Sequence, residues 1–264
     1  MINFTCRCTK RDGTPVIRDT EIMDYAEQLL NEYRPKMLKE PGKINADHFL
    51  ESYLGVSLDY QDIYYDKESI AGATVFNDGY VRVFDHEHMS IKYIAVPAGT
   101  IIIDNDTLER DSFALFTKLH EGGHFCLHRS VYCKNADQIS IFNAERDNCA
   151  MACRKSSIEY GRGRLVTDHD FREHQANTFA AAIAMPRPTF VPMVKYMVKN
   201  RGFRDGVWIQ TDESVFKGSL ELNYMVDQIA SCYGTSRTAV KVHMSKLGLG
   251  LYLQSLQRPT EFTL

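Results

Sequence analysis

Apolar residues recur at helical spacing through "TEIMDYAEQLLNEYRPKML", Thr20 to Leu38, and Thr20 offers an N-cap hydroxyl. "INADHFLESYLG" predicts a second, short helix over Ile44 to Gly55, which Gly55 ends. The period then shortens to two. "ATVFNDGYVRVFD" alternates around Asn77-Asp78-Gly79, the signal of a tight hairpin. "GTIIIDN", Gly99 to Asn105, is an apolar β-branched run and predicts a buried strand. Helical spacing returns after Asp111, a candidate cap, and runs from Ser112 to His128. Residues 129–168 are polar and show no period. A helix resumes near Phe171 and lasts until Pro186, and "FVPMVKYMVKNRGF" predicts another. Ser219 to Leu249 reads as a compact helical unit. This order predicts an α+β fold: a larger unit over 1–205 and a small helical one over 206–264.

Chemistry enters at "FTKLHEGGHFCLH", Phe116 to His128. His120 and His124 stand at i and i+4, so on a helix both imidazoles leave the same face and can reach one zinc ion. Glu121, one position on, is placed to take a proton from water at that ion, as in the H-E-x-x-H arrangement. The competing reading is a polar, partly exposed helix face. Gly122-Gly123 weakens the helix between the histidines by about 1 kcal/mol per glycine, which suggests a need for space. A catalytic zinc usually takes a third protein ligand from elsewhere. "REHQANTFAAAIAMP" offers Glu173 on a helix rich in alanine, able to pack closely against the Gly122-Gly123 helix. Asn177, one turn on, is placed either to accept the second N–H of a ligand histidine or to bond elsewhere.

The pairing of "TKLHEGGHFCLH" with "EHQANTFAAAIAMP", led by "GATVFNDG" and "GTIIIDN", resembles the ImmA/IrrE family of zinc-dependent metallopeptidases. The resemblance covers roughly Thr20 to Met193. It implies a zincin-like domain with a small twisted sheet and an H-E-x-x-H helix, one catalytic Zn2+ and hydrolysis of a peptide bond. Residue by residue it makes His120, His124 and Glu173 the ligands and Glu121 the base. Gly122 departs from the pattern, which commonly has a larger apolar residue there. The polar stretch 129–168 is also longer than expected. His128, His169, His174 and several tyrosines remain open as contacts to substrate or oxyanion. An edge of the sheet containing "TIIID" or "YVRVF" is expected to hold a substrate strand.

Other signals are weaker. In "DQIASCYGTSRTAVKVHMSKLGL", Ala230, Gly234 and Val240 have helix-turn-helix spacing, and Ser236 is a natural N-cap. DNA contact through Arg237, Lys241 and Lys246 competes with a helical module that merely packs on the larger unit. In the resembled family such a module accompanies cleavage of helix-turn-helix repressors of mobile elements or stress responses. His86 and His88 read as a solvated loop. Cys126, Cys133, Cys149 and Cys153 lack a C-x-x-C pair, and neither they nor Cys6 and Cys8 make a convincing zinc site.

Composition fits this picture. The chain has 264 residues, 44% hydrophobic and 25% charged, ordinary for a globular protein. Its net charge of -3 gives no general attraction to nucleic acid or anionic lipid. No secretory h-region or membrane-length apolar run is visible, and seven cysteines point to free thiols, so a cytoplasmic protein without a membrane partner is expected. The leading expectation is a zinc metalloendopeptidase acting on a repressor. The alternatives are a DNA- or partner-binding regulator with a structural or vestigial zinc, and hydrolysis of a non-peptide amide at the same centre.

Overall fold

The computed structural model describes residues 2–65, 69–132, 150–154, 165–199, 208–209 and 215–251. Helix α1 (Asp19–Tyr33) starts one residue before Thr20; the Glu21 carboxylate accepts from the Arg18 backbone N–H at 3.0 Å. Thr20 therefore lies inside the first turn rather than capping it. Helix α2 (Ala46–His48) runs into a π-turn over Phe49–Leu54, and Gly55 closes it at φ 72°. Next come β1 (Ser57–Gln61), β2 (Ile70–Val75), β3 (Gly79–Asp85), β4 (Ser90–Val96) and β5 (Thr100–Asp104). Helix α3 (Asp111–Leu127) has Asp111 in its first turn, where its charge suits the helix dipole, and Arg110 occupies the cap. A short α4 (Arg129–Tyr132), strand β6 (Ala150–Arg154) and helices α5 (Asp168–Ala184), α6 (Arg187–Lys199), α7 (Val215–Tyr233) and α8 (Arg237–Lys246) follow. Helix α5 has a capping box: the Thr167 hydroxyl accepts from the Asp170 N–H at 3.1 Å and the Asp170 carboxylate accepts from the Thr167 N–H at 2.7 Å.

The fold is α+β. Four strands form one sheet in the order β1-β5-β2-β6, with β1 parallel to β5 and the other pairs antiparallel. The expected hairpin across Asn77-Asp78-Gly79 does not form. Both edges of β2 are taken, by β5 and β6, so β3 turns away and pairs with β4 as a separate ribbon. Asp78 instead accepts from the Ala98 N–H at 2.8 Å. The ribbon covers the sheet through Val81 and Ile94, which pack on Val75, Val96 and Ile102.

The main core lies on the other side. It joins α1, α2, α3, α5 and α6 to Met225, Val226, Ile229 and Tyr233 of α7 and Val240 and Met244 of α8. Among the described residues no helix is long and apolar enough to cross a membrane.

Two glycines let the layers close. A methyl built on Gly123 of α3 would lie 3.1 Å from the Ala176 Cα and 3.2 Å from its carbonyl oxygen, so α3 and α5 touch backbone to backbone. One built on Gly72 of β2 would lie 3.1 Å from Glu121 Cγ and equally close to the Ile102 carbonyl oxygen. These clearances put Glu121 and its neighbouring histidines between the sheet and α5.

Candidate metal centre

His120 and His124 face α5, and Glu173 meets them. The two Nε2 atoms are 2.9 Å apart; Glu173 Oε1 is 3.2 Å from His124 Nε2, and Glu173 Oε2 is 3.5 Å from His120 Nε2. Two atoms bound to one tetrahedral zinc at ~2.0–2.1 Å would be about 3.3–3.4 Å apart. The three observed distances, two of them to different oxygens of Glu173, bracket that value. Both histidines are fully buried and Glu173 is 6% exposed. The residues fit a zinc ion in donor type, number and spacing.

The hydrogen bonds behind the ligands agree with this. His120 Nδ1 bonds the Asn177 Oδ1 at 2.9 Å. An amide oxygen only accepts, so His120 donates from Nδ1 and turns Nε2 towards His124 and Glu173; burial lowers its proton affinity, but hydrogen bonding and charge from Glu173 outweigh this and raise it, so a metal ion there would take the place of a proton on Nε2. Burial pushes His124 down to about 4, so its ring is neutral. Burial alone would raise Glu173, but hydrogen bonds and charge from His120 and His124 outweigh it and hold the carboxyl well below its usual range.

Glu121 sits beside this group at 0% exposure. The Thr74 hydroxyl on β2 donates to Glu121 Oε2 at 2.6 Å. Oε1 is buried and accepts no hydrogen bond among the described residues. Leaving a buried carboxylate oxygen without a donor is costly. Such an atom points to a missing partner, and a water or a substrate N–H would supply it. Burial pushes Glu121 up to about 7, against smaller opposing effects of His120 and Thr74. Gly72 and Thr74 alternate on the same face of β2, one making room for Glu121 and the other binding it.

The remaining sequence candidates fall elsewhere. His128 is fully buried, with one ring nitrogen on His124 and the other on Gln175, so it faces no substrate. His174 Nε2 is taken by Asp19 at 2.8 Å. His169, whose side chain is 42% exposed, has its Nε2 3.9 Å from Glu173 Oε1 and marks the solvent side of the centre. Sequence reasoning overlooked Thr74, Gln175 and Gly72; the two-residue alternation of β2 was the only signal for two of them.

Neither β5 nor β3 is itself an edge strand; among the described residues the sheet containing β5 ends in β1 and β6, and the ribbon containing β3 has β4 along one side. β5 lies between β1 and β2, and β3 has β4 on one side and Asp62 to Tyr64 on the other. Beside Glu121, the strand β2 carries β6 along its outer edge, with Thr74 opposite Met151.

His86 and His88 are exposed in the β3–β4 turn, near Asp62 and Asp85. Cys6, Cys8 and Cys126 are free thiols, Cys126 near the Tyr25 hydroxyl; Cys133 and Cys149, and the side chain of Cys153, lie outside the described residues.

In the C-terminal pair, Ser236 caps α8 by accepting from the Ala239 N–H at 3.1 Å, and Gly234 turns the chain at φ 67°. The basic residues have partners within the chain. Arg237 forks onto Asp227, Lys241 donates to Asn223 at 3.4 Å, and Lys246 donates to Thr178 at 2.6 Å and pairs with Asp19 at 3.2 Å. His243 Nε2 donates to the Met185 carbonyl at 3.0 Å and the Tyr233 hydroxyl donates to Thr189 at 3.1 Å. These contacts seat the pair on α5 and α6.

No family model and no curated protein matches the chain. Among solved structures it is similar to a Mycobacterium tuberculosis transcriptional regulator, at 14% identity and a TM-score of 0.42 over 95% of this chain. The chain spans 50% of the length of that protein.

Proposed function

We propose that the protein is a zinc-dependent metallopeptidase with a zincin-like catalytic unit, in which His120, His124 and Glu173 hold the ion and Glu121 is the general base. The observation that carries this reading is the convergence of two imidazole nitrogens and the Glu173 carboxylate at distances close to those around a tetrahedral ion, beside a buried carboxylate oxygen, Glu121 Oε1, left to accept a proton. A zinc ion there supplies Lewis acidity towards a carbonyl and makes water a nucleophile near neutral pH. The chain does the rest. Thr74 anchors one oxygen of Glu121, so the other takes the proton from water and returns it to the leaving amine. Asn177 holds His120 by Nδ1 and keeps its Nε2 turned inward. His169 is the histidine placed to meet a substrate entering from solvent.

The resemblance to ImmA/IrrE peptidases supports a protein substrate, a helix-turn-helix repressor by preference. The internal partners of Arg237, Lys241 and Lys246 favour packing over DNA contact for the C-terminal pair. A second reading, a structural ion in a regulator, draws on the full burial of His120 and His124. The test is to incubate the zinc-loaded protein with the small repressor encoded beside it, where there is one, and with a peptide library, using Glu121→Gln in parallel. Cleavage by the wild type alone, at equal zinc content, supports the peptidase. Equal cleavage by both proteins, or none by either, favours the structural ion.

A further inference from the structure

Behind His124 runs a chain of buried hydrogen bonds that the ligand set does not require. His124 Nδ1 lies 2.9 Å from His128 Nδ1, His128 Nε2 lies 2.9 Å from Gln175 Oε1, and Gln175 Nε2 donates to the Pro15 carbonyl at 2.8 Å. His128 is fully buried and Gln175 is 4% exposed.

The chain has one direction, because its far end is a peptide carbonyl, which only accepts. Gln175 must turn its NH2 to Pro15 and therefore its oxygen to His128. That oxygen also only accepts, so His128 carries its proton on Nε2. A buried imidazole with no carboxylate among these partners stays neutral, so His128 Nδ1 is a bare acceptor. Two bare nitrogens do not bond, so His124 must donate from Nδ1. Its Nε2 is then the lone pair that faces His120 and Glu173.

We propose that Gln175 and His128 are positioning residues of the metal centre, which fix the tautomer of His124 through a relay anchored on the Pro15 carbonyl. The proposal rests on the metal reading above for its purpose, though not for its geometry. It also gives the N-terminal segment a role. Arg172 of α5 donates to Asp12 and to the Thr14 hydroxyl, both at 2.6 Å, and Asp12 accepts from the Thr14 N–H at 2.9 Å. These bonds fasten the segment carrying Pro15 to the helix that carries Gln175 and Glu173. On sequence, Pro15 stands 160 positions from Gln175, and Gln175 stands 47 from His128.

The test uses the full chain labelled with 15N at histidine, with and without zinc. Two-bond imidazole correlations should show His124 protonated at Nδ1 and bare or metallated at Nε2, and His128 protonated at Nε2. Zinc affinity is read by competition with a chromophoric chelator at fixed pH. Gln175→Leu keeps the volume and removes the acceptor; it should weaken zinc binding about 10- to 100-fold and mix the His124 tautomers. A packing role alone would not move the His124 tautomer in Gln175→Leu.

His124 protonated at Nε2 in the zinc-free wild type, or unchanged tautomers and affinity in Gln175→Leu, overturns the relay. Should the leucine variant not fold, the wild-type spectrum decides alone. A wild type that binds no zinc removes the metal reading, while its His124 spectrum still confirms or overturns the relay.

Discussion

Two helix pairs in this protein bury histidines at close helix contacts, and they differ in what the histidines are left with. In α7–α8, His243 donates to the Met185 carbonyl, Tyr233 donates to Thr189, and the basic side chains end on Asp227, Asn223, Thr178 and Asp19. Most of its polar groups close on one another. In α3–α5 the partners lie on the outside: Asn177 and His128 bond the ring nitrogens that point away, and two other ring nitrogens and a carboxylate converge. His243 Nδ1 is itself buried without a hydrogen-bond partner among the described residues, but no second ligand atom meets it, so a structural histidine and a ligand histidine are told apart by what the second nitrogen faces. Both pairs looked functional as motifs. Only one leaves lone pairs aimed at a common point.

The contrast can be broken most strongly at the ligands. Glu173→Ala and His120→Ala should each lower zinc affinity by more than about 100-fold, beyond the effect of removing an outer partner. Chelation of the wild type should lower its melting temperature by about 5–10 °C, since saturating ligand contributes a few kcal/mol. The corresponding change in the other pair, His243→Gln, should leave zinc affinity unaltered.

Acid should act on the second pair in a way that needs no metal. Burial holds His243 down at about 4, against 6.5 for the free side chain. Between those values the unfolded chain binds a proton and the native chain does not, so stability rises with pH there. The contribution is complete above about pH 6.5 and falls by about 3 kcal/mol as the pH drops towards 4. Denaturant titrations across this range should show a steeper loss for the wild type than for His243→Gln.

Smaller effects separate the glycines. Gly123→Ala places a methyl 3.1 Å from backbone and should cost about 1–3 kcal/mol, with weaker zinc binding. Gly122→Ala meets the tip of the Leu50 side chain at 2.7 Å, which can turn aside, and Leu54 Cδ1 at an ordinary contact distance of 3.8 Å. It should be neutral or gain up to about 1 kcal/mol in helix propensity. Lys246→Met should cost about 0.5–1 kcal/mol in urea titrations, since its partner Asp19 is partly exposed.

What the sequence made legible follows from range. Periodicity found α3, α5 and β5, because each depends on neighbours within a few positions. The i, i+4 spacing of His120 and His124 and the small residues of α5 were enough to bring Glu173 to them. Local signals failed where distant pairing decided. Asn77-Asp78-Gly79 has hairpin chemistry, yet β6 claims the edge that β3 would need. Gly122 signals a need for space without naming the neighbour, and the π-turn brings Leu50 there. Lys246 sits on a helix resembling a DNA reader, but Thr178 and Asp19 bind its ammonium. No spacing rule could link Pro15 to a histidine in α3.

The central claim is that two imidazoles and a carboxylate of this chain hold one zinc ion. X-ray absorption at the zinc edge of the stoichiometrically loaded protein tests it most directly. The account predicts two nitrogen ligands at ~2.0–2.1 Å, the remaining ligands oxygen at ~2.0–2.2 Å, and no sulfur. A zinc–sulfur distance near ~2.3 Å, or a shell made only of oxygen, would contradict it.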